Sequence, residues 1–271
     1  MLIRLIIILM LLLIPAAAPA THIKPWFDQE LQPLLDSRFA VQKFDGVRVQ
    51  NEFIPCRSID YFFDLGAYFA YAPYSLELET GFAGTSRNHF NWEDVRLTGR
   101  YQLMDDISGT DPVSAVAGFT VSRTGRRYVE DISTFHHARW EYLFHGSVGK
   151  EFPKGPIWIS RAWAFGGFGS GDECSIWIFS HIEVEKNCLD RYWYGAFLEG
   201  LFGLGDKPLD LTDFKGYGPV EHRSIDMGAH LNISLWEYGS ITARYSYRLW
   251  AYNFPDNAHL VILRYEYPFG L

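Results

Sequence analysis

Most of this chain alternates apolar and polar positions with a period of two. In Asp226–Tyr238 the odd positions are Met227, Ala229, Leu231, Ile233 and Leu235, and the even ones are polar or glycine. In Ser240–Tyr252, Ile241, Ala243, Tyr245, Tyr247, Leu249 and Ala251 share one face, and Thr242, Arg244, Ser246, Arg248 and Trp250 share the other. Asp94–Met104, His136–Lys150 and Ser175–Glu185 repeat the pattern. A strand sends successive side chains to opposite faces, so these segments are predicted strands with one apolar and one polar side. Helical spacing is weak, with one candidate at Phe27–Leu35. One segment resists the pattern: in Ile157–Phe165, Arg161 shares a face with Ile157, Ile159 and Trp163. Either a bulge shifts the register there or Arg161 faces inward among rings.

About twelve strands follow from this reading, at 31–44, 58–71, 74–84, 93–104, 112–123, 135–151, 156–168, 173–186, 190–205, 224–238, 240–252 and 258–269. Their connections alternate in length. Ala72-Pro73, Asp105–Asp111, Phe152–Gly155, Lys186–Cys188 and Tyr238–Gly239 fall on one side. Asp45–Arg57, Gly84–Trp92, Thr124–Phe135, Gly169–Asp172, Gly205–Arg223 and Asn253–Asn257 fall on the other and are mostly longer. Charges occupy the middle of many polar faces and almost none of the apolar ones, and aromatic residues gather near strand ends. Strands of roughly ten residues or more cross a bilayer when tilted, and rings suit its boundary. The predicted fold is all-β: a single closed antiparallel transmembrane β-barrel of about twelve strands, in contact with outer-membrane lipids.

Composition narrows the alternatives. The 271 residues carry 24 Lys+Arg against 32 Asp+Glu, a net charge of -8, which argues against nucleic-acid partners. Aromatic residues at 17% argue against disorder, and three cysteines are too few for a disulfide scaffold. At the start, Arg4 precedes the apolar run Leu5–Ile14 and then Ala18-Pro19-Ala20. This predicts a signal peptide over residues 1–20, cleaved after Ala20, ahead of a barrel over 21–271.

At the other end, Val261, Leu263, Tyr265, Tyr267 and Phe269 place an apolar or aromatic residue at every second position. This resembles the terminal strand of bacterial outer-membrane β-barrel proteins, although Gly270 and Leu271 follow where that pattern ends on the ring. The resemblance implies an outer-membrane location and recognition by the barrel-assembly machinery. The Gly216–Gly218 loop and the Arg244–Arg248 strand are similar to an uncharacterised family of such barrels, one that brings no biochemical role with it.

A cation facing the middle of the bilayer costs a barrel roughly 2–4 kcal/mol, so the ionisable faces are predicted to line the lumen. They carry Asp60, Asp64, Glu77, Glu79, Asp94, Glu141, Glu183, Glu185, Glu199, Asp226 and Glu266. The same faces carry Arg38, Arg96, Arg100, Arg139, Arg244, Arg248, Arg264 and His230. Strand order predicts that Glu77 and Glu79 face Arg96 and Arg100, and that Glu266 lies near Arg244 and Arg248. Phe62, Tyr68, Trp177, Phe179, Trp193 and Phe197 are expected to narrow the passage. Such a lining suits a narrow channel for small solutes, and it equally suits a structural or surface-interaction barrel without conductance.

An enzyme is the minor alternative. His145 and Ser147 form H-x-S-x-G, similar to the motif of outer-membrane phospholipases and lipid A deacylases. That resemblance implies His145 as base and Ser147 as nucleophile. Both, however, share the polar face with Arg139 and Glu141, they fall toward the inner leaflet, and no polar partner follows at the family's spacing. No cofactor and no metal site is expected. His136 and His137 are adjacent on a predicted strand and point apart, and His181 and His230 read as isolated lumen histidines. Cys174 and Cys188 end one strand about 45 Å apart and cannot bond. Cys56 and Cys174 are placed outside, as candidate links to each other or to surface proteins, and Cys188 is read as a thiol in an inner turn.

Overall fold

The computed structural model describes residues 23–27, 31–107, 111–155, 157–172 and 176–269. The predicted signal peptide and Cys174 lie outside these residues. Thirteen strands form one sheet. They are β1 (Leu34–Val49), β2 (Glu52–Tyr71), β3 (Tyr74–Gly84), β4 (Asn91–Met104), β5 (Ser114–Thr124) and β6 (Trp140–Lys154). Then come β7 (Ile157–Gly171), β8 (Ile176–Cys188), β9 (Tyr192–Leu204), β10 (Glu221–Ser234), β11 (Ser240–Tyr252), β12 (Phe254–Asp256) and β13 (His259–Pro268). Each long strand pairs antiparallel with its neighbours. β1 closes the ring by pairing with both β2 and β13, with Leu34 opposite Tyr68 on one side and Pro268 on the other. Closure satisfies the wall's backbone groups internally, which a lipid-embedded sheet requires.

The wall is inverted relative to a soluble barrel. Along β8, Ile182 and Val184 are 54% and 60% exposed, while the intervening Glu183 and the following Glu185 are 4% and 3% exposed. Leu249 faces out and Arg248 is buried. Exposed rings ride the wall near both ends of the strands. Tyr71, Tyr74, Tyr192, Trp236 and Tyr267 mark the end that holds the short turns, and Phe53, Phe90, Trp92, Trp140 and Trp250 mark the end that holds the long loops. The first end is called inner and the second outer.

Four local expectations change. The predicted outer loop Asp45–Arg57 is a hairpin that turns at Gln50 and Asn51. Its strands run past β3 and β13, and β12 adds to β1 there, with Gly46 opposite Asp256 and Arg48 paired with Asp256. The predicted strand start at residue 135 moves to Trp140. His136–Arg139 instead belong to an outer loop that carries the short helix α1 (Arg126–Val129). The helix proposed over Phe27–Leu35 does not form where the chain is described, since Leu34 and Leu35 open β1. Bulges shift two faces. One at Ile159 leaves Ile157 and Ile159 outside and lets Arg161 and Trp163 both turn inward, which combines the two alternatives for that segment. One at Leu249 turns Trp250 outward and buries Ala251, reversing their expected faces.

Candidate functional site

The polar sides of the strands meet as a continuous set of ion pairs inside the barrel. Asp64 accepts from Arg38 Nε at 3.0 Å and from Arg96 Nη2 at 2.6 Å, and Arg38 and Arg96 also approach Glu79 at 3.5 and 3.8 Å. Arg248 grips Asp226 with two parallel bonds of 2.7 and 2.8 Å, the bidentate geometry that fixes both planes. Arg264 joins Asp36 and Glu266 at 2.8 and 3.0 Å. Arg244 donates to Glu199 at 2.7 Å and lies 3.7 Å from the Phe197 ring centroid. His181 bridges Glu199 and Glu183 at 2.9 and 3.0 Å.

Of the pairings drawn from strand order, Glu79 with Arg96 forms, directly across β3 and β4 at 3.8 Å. Glu266, expected near Arg244 and Arg248, meets Arg264 on its own strand. Arg100 bonds Ser75, Tyr68 and the Lys24 carbonyl. Strand tilt also sets partners diagonally, so sequence order alone cannot assign them all. Arg139 is the one lumen candidate that stands exposed, because it precedes the first paired residue of β6 and sits on the outer rim. Glu141 faces inward and accepts from the His137 amide at 2.6 Å.

Both mouths are partly filled. At the outer mouth the loop from 205 to 220 folds over the loop from 125 to 139. The Tyr217 amide donates to the His136 carbonyl at 2.9 Å and the Gly218 amide to the His137 carbonyl at 3.0 Å. The Tyr217 hydroxyl donates to the Ile132 carbonyl at 3.0 Å. Tyr217 is fully buried among Phe44, Tyr128, Ile132, Phe214 and Phe254. Gly216, at φ +110°, permits this close approach, since a Cβ there would lie 2.9 Å from the Val129 side chain. The cap is tied to the wall through His136, whose Nε2 lies 2.9 Å from Glu93 and Nδ1 3.2 Å from Thr124. Burial opposes protonation of His136, but its hydrogen bond to Glu93 and the charges of Glu93 and Glu141 outweigh it and push the imidazole up to about 9.

At the inner mouth, Ile23 and Trp26 pack on Trp163 and Phe165. The Trp26 ring also donates to Asp106 at 3.0 Å. Burial works against the charge of Asp106, and hydrogen bonds from Ser114, the Glu151 amide and Trp26 outweigh that and hold the carboxyl below its ordinary range. Arg161 lies between Trp26 and Trp158, 4.8 and 4.2 Å from their centroids. Between the closures lie two hollows. The outer one, of about 200 Å³, touches Arg96, Glu141, Trp177, Glu199 and Arg248. The inner one, of about 470 Å³, touches Lys24, Arg100, Trp158, Glu183, Arg244 and Arg264.

The enzyme candidates do not assemble. His145 and Ser147 both point into the lumen. His145 reaches the Thr120 hydroxyl at 3.3 Å, and among the described residues no hydrogen bond joins it to Ser147. Burial and the charge of Arg100 surround the ring instead of an orienting carboxylate. The histidines are less isolated than their spacing suggested. His136 and His137 lie in a loop, where His137 stacks on Trp177 at 3.8 Å and reaches His222 at 3.2 Å. His230 and Glu185 are brought to one level because each lies opposite Gly195 on the intervening β9. Cys56 and Cys188 are free thiols.

Sequence reasoning missed Lys24, Trp26 and Tyr217 as occupants of the lumen. Trp26 and Tyr217 are large rings in segments without strand periodicity, and that was the only available signal.

No known family profile matches the sequence, and no curated protein matches it. Solved structures do. An outer-membrane channel from Pseudomonas putida F1 superposes with a TM-score of 0.67 at 10% identity, covering 93% of this chain and 100% of its own. The NanC porin gives 0.55 at 11% identity over 88% and 100%. The KdgM porin in complex with disordered oligogalacturonate gives 0.53 at 11% identity over 88% and 99%. At such identities the likeness is one of fold, and with the apolar outer wall it makes this chain an integral β-barrel of the outer-membrane class.

Proposed function

We propose that this protein is a narrow channel for small solutes across the bacterial outer membrane. The observation that carries the reading is the pair of hollows in series inside one closed wall, lined by fixed charges of both signs. Fixed, paired charges favour solutes by size and polarity while holding no strong bias toward one sign. The fold neighbours described as a channel and as porins support the same reading. The outer cap governs access, because Tyr217 and its neighbours stand where the path would open. That same cap favours the competing reading, a barrel that never conducts.

Planar-bilayer recording separates the two. The purified protein should give small discrete conductance steps. A variant whose residues 207–218 are replaced by a short Gly-Ser link should give larger ones. Silence from both proteins, each shown to be folded by its mobility shift on unboiled gels, would overturn the channel reading.

A further inference from the structure

The inner hollow contains a cluster that the ion-pair framework leaves incomplete. Glu183 and Glu185 stand two residues apart on β8 and share the inward face. His230 on β10 reaches them across β9. Its Nδ1 lies 3.6 Å from Glu183 Oε1 and its Nε2 3.2 Å from Glu185 Oε1. One ligand atom from each of the three residues falls within 4.8 Å of the others. Ligands around one tetrahedral zinc ion stand roughly 3.3–3.6 Å apart, so the three atoms have to draw somewhat closer to share one.

Three observations mark this as a built site. The first is space. Gly195 lies between Glu185 and His230, and a Cβ there would come within 2.6 Å of His230 Cε1 and 3.1 Å of Glu185 Cγ. Only a residue without a side chain lets imidazole and carboxylate meet across the strand. The second is unmet valence. Glu183 Oε1, Glu185 Oε2 and His230 Nε2 are buried atoms without a hydrogen-bond partner, the last lying near Glu185 but off the required line. Buried carboxylate oxygens left in this condition are costly unless a cation completes them. The third is orientation. His181 holds the other oxygen of Glu183 at 3.0 Å and is itself held by Glu199 at 2.9 Å, the kind of outer support that fixes a ligating carboxylate.

The group presently nearest is an ammonium: Lys24 Nζ donates to Glu185 Oε1 at 2.6 Å. We infer that Glu183, Glu185 and His230 form a binding site for a divalent transition cation, and that Lys24 of the N-terminal segment is its internal competitor. One imidazole and two carboxylates favour zinc or a similar borderline ion over magnesium. A metal on Glu185 sets a second cation against the Lys24 ammonium on the same carboxylate, so loading the site loosens the N-terminal segment from the inner mouth. The inference concerns binding and does not depend on conduction.

Zinc affinity is measured on the purified detergent-solubilised protein by competition with a chromophoric chelator, each variant first being shown to retain its folded gel mobility. One zinc per barrel is expected. His230→Gln and Glu185→Gln should each weaken binding by about 100-fold or more, the upper end of what loss of an outer-shell partner alone costs. Gly195→Ala replaces no ligand but drives a Cβ against His230 and Glu185, and should also weaken it. Lys24→Gln should tighten it by about tenfold, because the competing ammonium is gone. A purely structural role for Lys24 would not produce that gain. No stoichiometric zinc in either wild type or Lys24→Gln would overturn the site, as would zinc binding indifferent to His230→Gln. Equal affinity in wild type and Lys24→Gln would overturn the competition.

Discussion

The outer half of the barrel interior is filled by loop side chains packed as in a soluble core, whereas the inner half is a hollow framed by ion pairs. In the outer half, Phe44, Val47, Tyr128, Ile132, Phe214, Tyr217 and Phe254 touch one another, and backbone hydrogen bonds stitch the two loops together. Below it, Arg38, Asp64, Glu79 and Arg96 knit one wall at mid-barrel, and in the inner half Arg264 ties Asp36 to Glu266 across the barrel's closing seam. The difference matters because the two kinds of contact respond to different changes. Apolar packing is insensitive to salt and is lost by truncation. Partly solvated ion pairs are screened by salt, and losing one partner leaves an uncompensated charge. An element that must move is better held by the first kind, and a lining that must stay put by the second.

The comparison breaks most readily at Tyr217. Replacing it with alanine empties a fully buried aromatic site and removes the hydroxyl's bond to Ile132, at a cost of about 3–5 kcal/mol. That is two or more orders of magnitude in the ratio of closed to open cap. Open-channel occupancy in planar bilayers should rise accordingly, with little dependence on salt. If Tyr217→Ala leaves occupancy unchanged, the outer packing is not what closes the barrel.

A smaller effect is expected in the inner half. Arg264→Gln removes a charge-assisted bond to Asp36 and the pair with Glu266, about 1.5–3 kcal/mol of local stability. It also leaves both carboxylates facing the hollow. Reversal potentials under a salt gradient should move toward cation preference. The shift should fade above about 0.1 M salt, where the screening length falls to roughly 10 Å. A shift that persists at high salt would mean the inner charges act by shape rather than by field.

The wall was legible in the sequence and its closures were not, for a physical reason. Lipid on one side and charge on the other impose a strict period of two, so Ile182, Glu183, Val184 and Glu185 announce their faces without any knowledge of neighbours. Where the period fails, at Ile159 and Leu249, the cause is a bulge, which depends on the register of the adjacent strand and leaves no local mark. Ion-pair partners were assigned less well than faces: Glu79 meets Arg96 as strand order implies, but Glu266 takes Arg264 on its own strand. The cap and the N-terminal segment were invisible for another reason. Tyr217 and Trp26 are placed by packing against distant residues, and the meeting of His230 with Glu185 depends on the absence of a side chain at Gly195, two strand pairings away in sequence terms.

The finest test of the comparison is the hinge between wall and cap, His136. Its ring faces Glu93 at 2.9 Å, Thr124 at 3.2 Å and Glu141 at 3.8 Å, with Asp94 also adding to the field, while its carbonyl accepts from Tyr217. The imidazole's folded value, about 9, lies above its ordinary 6.5. Its contribution to holding the cap is therefore fully present below the ordinary value and is lost as pH rises through about 9. Channel occupancy should be flat below about pH 6, climb between about pH 6.5 and 9, and level off beyond. His136→Gln, which keeps a donor without a titrating proton, should remove that climb and hold occupancy at every pH near the wild type's alkaline level. The effect is smaller than at Tyr217 because the apolar packing remains when the charge is gone. A climb that survives His136→Gln would assign the alkaline response to another group and cut the proposed link between wall and cap.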